Sequence, residues 1–325
     1  MPIDIRTHVP GIEDIWAETR GAGVVVAVID EEVDVRGHPE FLGRTLPGYN
    51  DSSSDYWSGA DVLRPHGTKV AGLALAAGVE ISGVAPDALL LPVGVPVLGT
   101  RTGDPAEADA IRWAADRGAD VICCAWAPPA GVEDDGRLPA HTRDALDYAV
   151  AHGRNGTGCI VVFAAGNDGR DIARNGYASH PGVIAVGACN CLGTRPKYSS
   201  WGDALWCVFP SNDPDDAVGA GMTYLTTTPA GSFLAGQTFY TSSFGFTSAA
   251  CSAVAGICAL ILSANPDLTW RQVKQVIRLS CEKIDKENAT YDADGHSVLH
   301  GYGRPDIGRA VRFARQHTKP PGASV

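Results

Sequence analysis

SSFGFTSAACSAVAGICALIL, residues 242–262, passes from small polar residues into a long uncharged apolar run, with Thr247-Ser248 at the join. A helix over 248–263 that is apolar all round must be buried on every side, so it needs a larger body built around it. A serine at its start can cap the helix by accepting a backbone N–H. It can also be a nucleophile held in the positive field of the helix N-terminus. The stretch alone leaves both roles open, and the flanking sequence must decide.

Working outward, VVVAVID (24–30), ALLLPVGV (88–95), DVICCAW (120–126), CIVVFAAGN (159–167) and GVIAVGA (182–188) read as strands. HGTKVAGLALAAG (66–78), EADAIRWAADRG (107–118) and LPAHTRDALDYAVAHG (138–153) read as helices between them. Near-continuous apolar strands belong in a parallel sheet covered on both faces. The expectation is an α/β fold in three layers, α/β/α, with a mainly parallel central sheet and chemistry outside the carboxyl ends of its strands. Residues 192–245, rich in Gly, Pro, Ser and Asp, read as loop. A helix over 269–281, opened by Thr269, and a last short helix in GYGRPDIGRAVRFAR follow. One domain over 1–315 and a loose tail over 316–325 are expected.

Composition narrows the class. The 325 residues are 45% hydrophobic and only 19% charged, with 38 glycines, which suits a turn-rich enzyme and not a disordered or coiled-coil chain. A formal charge of −11, with no basic run, argues against a nucleic-acid partner. The nine cysteines, mostly within apolar runs such as VICCAW and AGICALIL, read as buried reduced thiols and point to the cytoplasm. No Cys/His spacing suggests zinc. The start, MPIDIRTHVPGIEDIW, has no signal-peptide pattern, and ALILSANP is too short to span a membrane, so no membrane partner is expected.

Three residues stand where this architecture puts chemistry: Asp30 ends the first strand, His66 opens one helix and Ser248 opens another. Singly, each is commoner as a turn or cap residue. Together they supply a nucleophile, a base and an orienting carboxylate, in the chain order Asp…His…Ser.

With these motifs in place the chain resembles the subtilisin family of serine peptidases, and within it the kexin-like branch. GAGVVVAVIDEEVDVRGHPEF, HGTKVAGLALA and FTSAACSAVAG are similar to the segments carrying the family's aspartate, histidine and serine. VFAAGN is similar to the segment ending in the oxyanion asparagine, here Asn167. CAWAP (124–128) is similar to the strand alongside the substrate backbone. ALILSANPDLTWRQVKQVI and HGYGRPDIGRAV are similar to the closing helices. The resemblance implies a single-domain intracellular serine endopeptidase that matures particular peptides through an acyl-enzyme. Two alternatives stay open: a pseudo-peptidase that binds peptides without cutting, and a peptide ligase or cyclase. The implied partner is a peptide or protein substrate. Substrate-binding residues by this resemblance are Ala125, Trp126, Ala127, Ala165, Gly166, Asn175 and Phe246.

The chain departs from the family pattern at several of these positions. Phe246 replaces the glycine before Thr-Ser, Ala125-Trp126-Ala127 replaces Ser-Trp-Gly, Glu31-Glu32 follows the aspartate, and Ser252 replaces a proline. If position 246 requires a positive φ, Phe is strained there. Its ring must enter the cleft, narrowing the pocket for the residue before the scissile bond, or turn into the core. Trp126 is expected to pack beneath the substrate strand. Asn175 stands where kexin-like enzymes place a pocket acid. The second acid falls at Pro129-Ala130, with Glu133-Asp134-Asp135 a few residues on, so a small or uncharged residue is expected over Arg or Lys. The loop 76–86 lacks the asparagines and length of the bacterial calcium loop, and DADG (292–295) reads as a turn. No cofactor and no required metal are expected. The start resembles that of a mature enzyme, with no propeptide.

Overall fold

The computed structural model describes residues 4–50, 65–95, 104–128, 136–215, 221–229 and 239–317. Two short helices, α1 (Ile5–His8) and α2 (Ile12–Glu18), precede strand β1 (Val25–Asp30). Then come β2 (Tyr49–Asn50), α3 (His66–Leu75), β3 (Leu89–Gly94), α4 (Pro105–Asp116), β4 (Val121–Cys124), α5 (Ala140–His152), β5 (Ile160–Ala164), β6 (Val183–Cys189) and β7 (Leu205–Pro210). An antiparallel pair, β8 (Tyr224–Thr227) and β9 (Tyr240–Phe244), leads into α6 (Phe246–Ala264) and α7 (Trp270–Ser280). A small ribbon, β10 (Cys281–Glu282) with β11 (Arg304–Pro305), and α8 (Ile307–Gln316) complete the order.

Seven strands form one sheet in the order β2-β3-β1-β4-β5-β6-β7, every neighbouring pair parallel. The apolar runs divide their side chains between two cores. Val26 and Val28 of β1, with Val162 of β5, join the cluster containing Leu73 of α3 and most of α6. Ala27, Ile29, Val161 and Phe163 face the opposite way, into the cluster containing Ile111 of α4 and Leu146 of α5. This alternation on a sheet covered on both faces is the three-layer α/β/α arrangement.

The expected elements are present with ends shifted by a few residues, as where α6 begins at Phe246 and not at Ser248. The segment 192–245 departs from expectation, since it holds β7, β8 and β9. α1, α2 and β2 are also additions. The apolar run is longer than ALILSANP suggested: α6 has 19 residues, by length and composition enough to cross a membrane, and its side chains from Thr247 to Leu262 are buried in the protein core. All nine cysteines are thiols, eight of them buried. Burial pushes Cys159 and Cys189 up to about 12.

A buried carboxylate ties the turn after α3 to β9. Glu40 accepts the backbone N–H groups of Gly78, Val79, Glu80 and Ile81 at 2.7–3.0 Å, and the Tyr240 hydroxyl donates to it at 3.1 Å. Burial alone would raise its pKa, but these backbone N–H bonds outweigh burial and lower it. The contribution is therefore intact above the ordinary carboxylate value and is lost as pH falls through the lower folded value. Glu40→Ala should destabilise the fold by about 3 kcal/mol, because the N–H donors lose a charged acceptor. Urea unfolding would measure this, and a midpoint equal to wild type would mean that water replaces the carboxylate at no cost.

Candidate active site

The carboxyl edge of the sheet assembles the site. Asp30 is the last residue of β1 and is 1% exposed. Its Oδ1 accepts the Glu31 N–H at 2.9 Å, which fixes the carboxylate. His66 opens α3, and that helix lies so close to β1 that a β-carbon at Gly67 would stand 2.6 Å from the Asp30 β-carbon. β8 holds the same first turn: Thr226 and Thr227 donate their hydroxyls to the carbonyls of Lys69 and Thr68 at 2.7 and 2.6 Å.

His66 Nδ1 lies 2.8 Å from Asp30 Oδ2 and 3.0 Å from Oδ1, while Nε2 lies 3.1 Å from Ser248 Oγ. Asp30, His66 and Ser248, far apart in the chain, thus form one continuous line of contacts. The Ser248 hydroxyl also reaches the Ala125 carbonyl, donating at 2.9 Å. One proton cannot serve Nε2 and this carbonyl at once. Burial alone would lower the His66 pKa, but the charge of Asp30 and its hydrogen bond outweigh burial and raise it above 6.5.

The first turn of α6 has N–H groups that no preceding helical carbonyl can satisfy. Phe246 donates to Asn212 Oδ1 at 2.5 Å and Thr247 donates to Asn167 Oδ1 at 3.1 Å, and the first helical bond runs from Ala249 to the Gly245 carbonyl at 3.1 Å. The Ser248 N–H finds no acceptor among the described residues. Asn167 is exposed, and its Oδ1 also takes the Thr247 hydroxyl at 2.7 Å, so both of its bonds engage the oxygen end and its amide N–H groups stay open. One open backbone donor, on Ser248, and one open amide, on the Asn167 that is bonded to the neighbouring Thr247, thus stand at the head of α6.

The expected substrate residues divide into groups. Ala125, Trp126 and Ala127 continue the chain beyond β4, and Ala165 and Gly166 continue it beyond β5. The two segments approach closely, since a β-carbon at Gly166 would lie 3.4 Å from that of Ala127. Trp126 packs edge-on against Phe163 and Tyr177, with ring centroids 4.9 and 4.6 Å away. Asn175 is 3% exposed, donates to the Ala165 carbonyl at 3.3 Å and accepts the Ala178 N–H at 3.2 Å. It props Ala165 from below. Pro129-Ala130 and Glu133-Asp134-Asp135 lie outside the described residues.

Phe246 requires a correction. Its φ is +60°, so it is strained as anticipated, at about 1–3 kcal/mol. Its ring neither enters the core nor joins the Trp126–Asn175 group. It stays 42% exposed and packs on Tyr198, centroids 4.8 Å apart. Ser211 and Asn212 pin its backbone, the Ser211 hydroxyl donating to the Phe246 carbonyl at 2.9 Å. Sequence reading missed Tyr198, Ser211 and Asn212, and missed the Ala125 carbonyl as an acceptor. An apolar LWCVFP ending in Ser-Asn-Asp-Pro was the available signal.

A parallel sheet of this order, with a carboxylate–imidazole–hydroxyl line at its carboxyl edge, defines the subtilisin-like class of serine peptidase. Residues 21–303 match the subtilase family (Peptidase S8), and the chain belongs to it. It is 41% identical to a calcium-dependent protease of Trichormus variabilis over 330 residues, covering 95% of this chain and 49% of that protein. It is 30% identical to the kexin of Candida albicans over 322 residues, covering 95% of this chain and 32% of that protein. The chain thus spans about half the length of the first of these relatives and a third of the second. Among solved structures, the prenylagaramide maturation protease PagA superposes with a TM-score of 0.72 at 26% identity, over 94% of this chain and 99% of that one.

The Asp30–His66 geometry has a direct solution signature. The His66 ring should titrate above 6.5, and Asp30→Asn should bring its pKa down by removing the raising charge. Imidazole NMR shifts against pH measure both. An unchanged His66 titration in Asp30→Asn would mean that the carboxylate does not govern the ring.

Proposed function

We propose that the protein is a serine endopeptidase in which Ser248 attacks the peptide carbonyl, His66 Nε2 accepts its proton, and Asp30 holds Nδ1–H and stabilises the imidazolium. The negative oxygen that forms on the carbonyl is met by the Ser248 N–H and the Asn167 amide. The amine leaves with the proton from His66, and water, activated by the same imidazole, releases the acyl group. The observation that carries this reading is the unbroken Asp30–His66–Ser248 line, with Nε2 3.1 Å from Oγ. The protonated imidazole cannot act as base, so activity should fall as pH drops through the raised His66 pKa.

Substrate peptides would lie along Ala125–Ala127, with the residue before the scissile bond over Ala165, Gly166 and Trp126. Asn175 brings no charge there, and an Arg guanidinium left poorly paired in a buried pocket costs several kcal/mol. We therefore favour small or uncharged residues over Arg and Lys. The likeness to a maturation protease supports processing of particular peptides, and the buried thiols support a cytoplasmic setting.

The name of the Trichormus relative raises calcium. Among the described residues no cluster of three His, Cys, Asp or Glu side chains is placed to hold a metal. The Glu40 carboxylate is taken up by N–H donors, and Asp292 closes its own turn by accepting the His296 N–H at 2.8 Å. Neither carboxylate leaves its oxygens open for the ion, and no step is assigned to it.

A second reading, a peptide-binding pseudo-peptidase, draws on the strained Phe246 beside the nucleophile. A fluorophosphonate probe separates the two. Wild type should label and Ser248→Ala should not, with labelling unchanged in EGTA. Asn167→Ala should lower kcat by about 100- to 1,000-fold. Peptide libraries should show cleavage after small or uncharged residues ahead of Arg or Lys. Absent labelling with peptide binding retained selects the pseudo-peptidase.

A further inference from the structure

We propose that Phe246 and Tyr198 form the recognition wall for the residue that follows the scissile bond, and that they favour an apolar or aromatic side chain there. The proposal rests on Ser248 acting as the nucleophile.

Position along the sheet edge carries the argument. The segments run in the order β1, β4, β5, β6, β7, so Asp30, Ala125–Ala127 and Ala165–Asn167 follow one another along the edge, and the Ser211-Asn212 segment beyond β7 lies one strand further on, past the end of β6. Ser248 Oγ touches the Ala125 carbonyl, at the near end of the strand along which the acyl part of a substrate would lie. Phe246 is tied to Ser211 and Asn212, on the far side of Asn167 from that strand. His66, which must hand its proton to the departing amine, packs against Phe244 at a ring-centroid distance of 5.9 Å, two residues before Phe246. The chain 244–246 therefore lines the side by which the leaving group departs. Trp126 and Asn175, on the acyl side, pack against Phe163, Tyr177 and the Ala165 carbonyl and not against Phe246.

The wall is also preorganised. Tyr198 donates its hydroxyl to the Asn212 carbonyl at 2.8 Å, and the Phe246 ring leans on it at 59°. A β-carbon at Gly245 would lie 2.2 Å from Asn212 Oδ1, so the approach to Phe246 is fixed as well. Phe246 is one of few large apolar side chains among the described residues that remain exposed, and it is the one beside Ser248. A ring held on one face and open on the other presents apolar surface with little ordering left to lose.

The test is a peptide library read on both sides of the cleavage point, with fluorophosphonate labelling run in parallel on wild type, Phe246→Gly and Phe246→Leu. Wild type should prefer aromatic or large aliphatic residues over Gly, Ser or Asp after the bond by about tenfold. Phe246→Gly should reduce this to about threefold or less and leave selectivity before the bond unchanged within about twofold, compared among the enzyme molecules that label. Phe246→Leu should keep the preference for large aliphatic residues. Intact labelling with selectivity altered only before the bond, or altered nowhere, overturns the wall and spares the nucleophile. Failure of wild type to label removes the nucleophile, and the wall with it.

Discussion

Everything at the site depends on burying α6 from Thr247 to Leu262 while leaving its first turn open at the carboxyl edge of the sheet. A helix apolar on all sides is stable only when enclosed, here by the sheet, α3, α7 and α8. Enclosure fixes where its N-terminus emerges. That end carries donors with no helical acceptor, and the chain satisfies them selectively: Asn212 takes Phe246 and Asn167 takes Thr247, while Ala249 already makes the first helical bond, to the Gly245 carbonyl. The Ser248 N–H, left over, is the donor closest to the serine oxygen itself. Packing that has nothing to do with chemistry thereby supplies an aimed partial positive charge.

The same enclosure sets a conflict at His66. Burial opposes the imidazolium, and a bare histidine so placed would be a weaker base. Asp30, nearly inaccessible at the end of β1, reverses that, because its charge and hydrogen bond outweigh desolvation. A parallel strand is well suited to the task. Its last residue lies where the sheet ends and helices begin, so a carboxylate there can be buried on a backbone N–H, that of Glu31, and still face a helix start.

Most of the frame was legible because buried parallel strands and helices are written in apolar runs, and the Asp30, His66 and Ser248 segments stand at their ends. What escaped has physical reasons. β8 and β9 read as loop because YLTT and YTSSF are hydroxyl-rich, yet Thr226 and Thr227 use those hydroxyls to hold the carbonyls of α3. β7, LWCVFP, was hidden by the turn residues around it. The direction of the Phe246 ring was beyond the reach of sequence, since a positive φ can be inferred from the position but the partner, Tyr198, comes from a separate loop. The role of Asn175 as a prop for Ala165 was not legible, because hydrogen bonds to backbone leave no trace in residue type.

Strain and support are matched on the two sides of the nucleophile. On one side Phe246 sits at φ +60°, a conformation that persists only where surrounding contacts over-determine it. Asn212 and Ser211 do so through its N–H and carbonyl, and Tyr198 holds the ring. On the other side, Glu40 gathers the N–H groups of Gly78 to Ile81 and the Tyr240 hydroxyl, joining the turn after α3 to β9. β9 runs into Phe244 and Gly245, so Glu40 acts on both the end of the histidine helix and the strand that delivers the serine helix. A single buried carboxylate thus couples the turn that follows the histidine helix to the strand that precedes the serine helix.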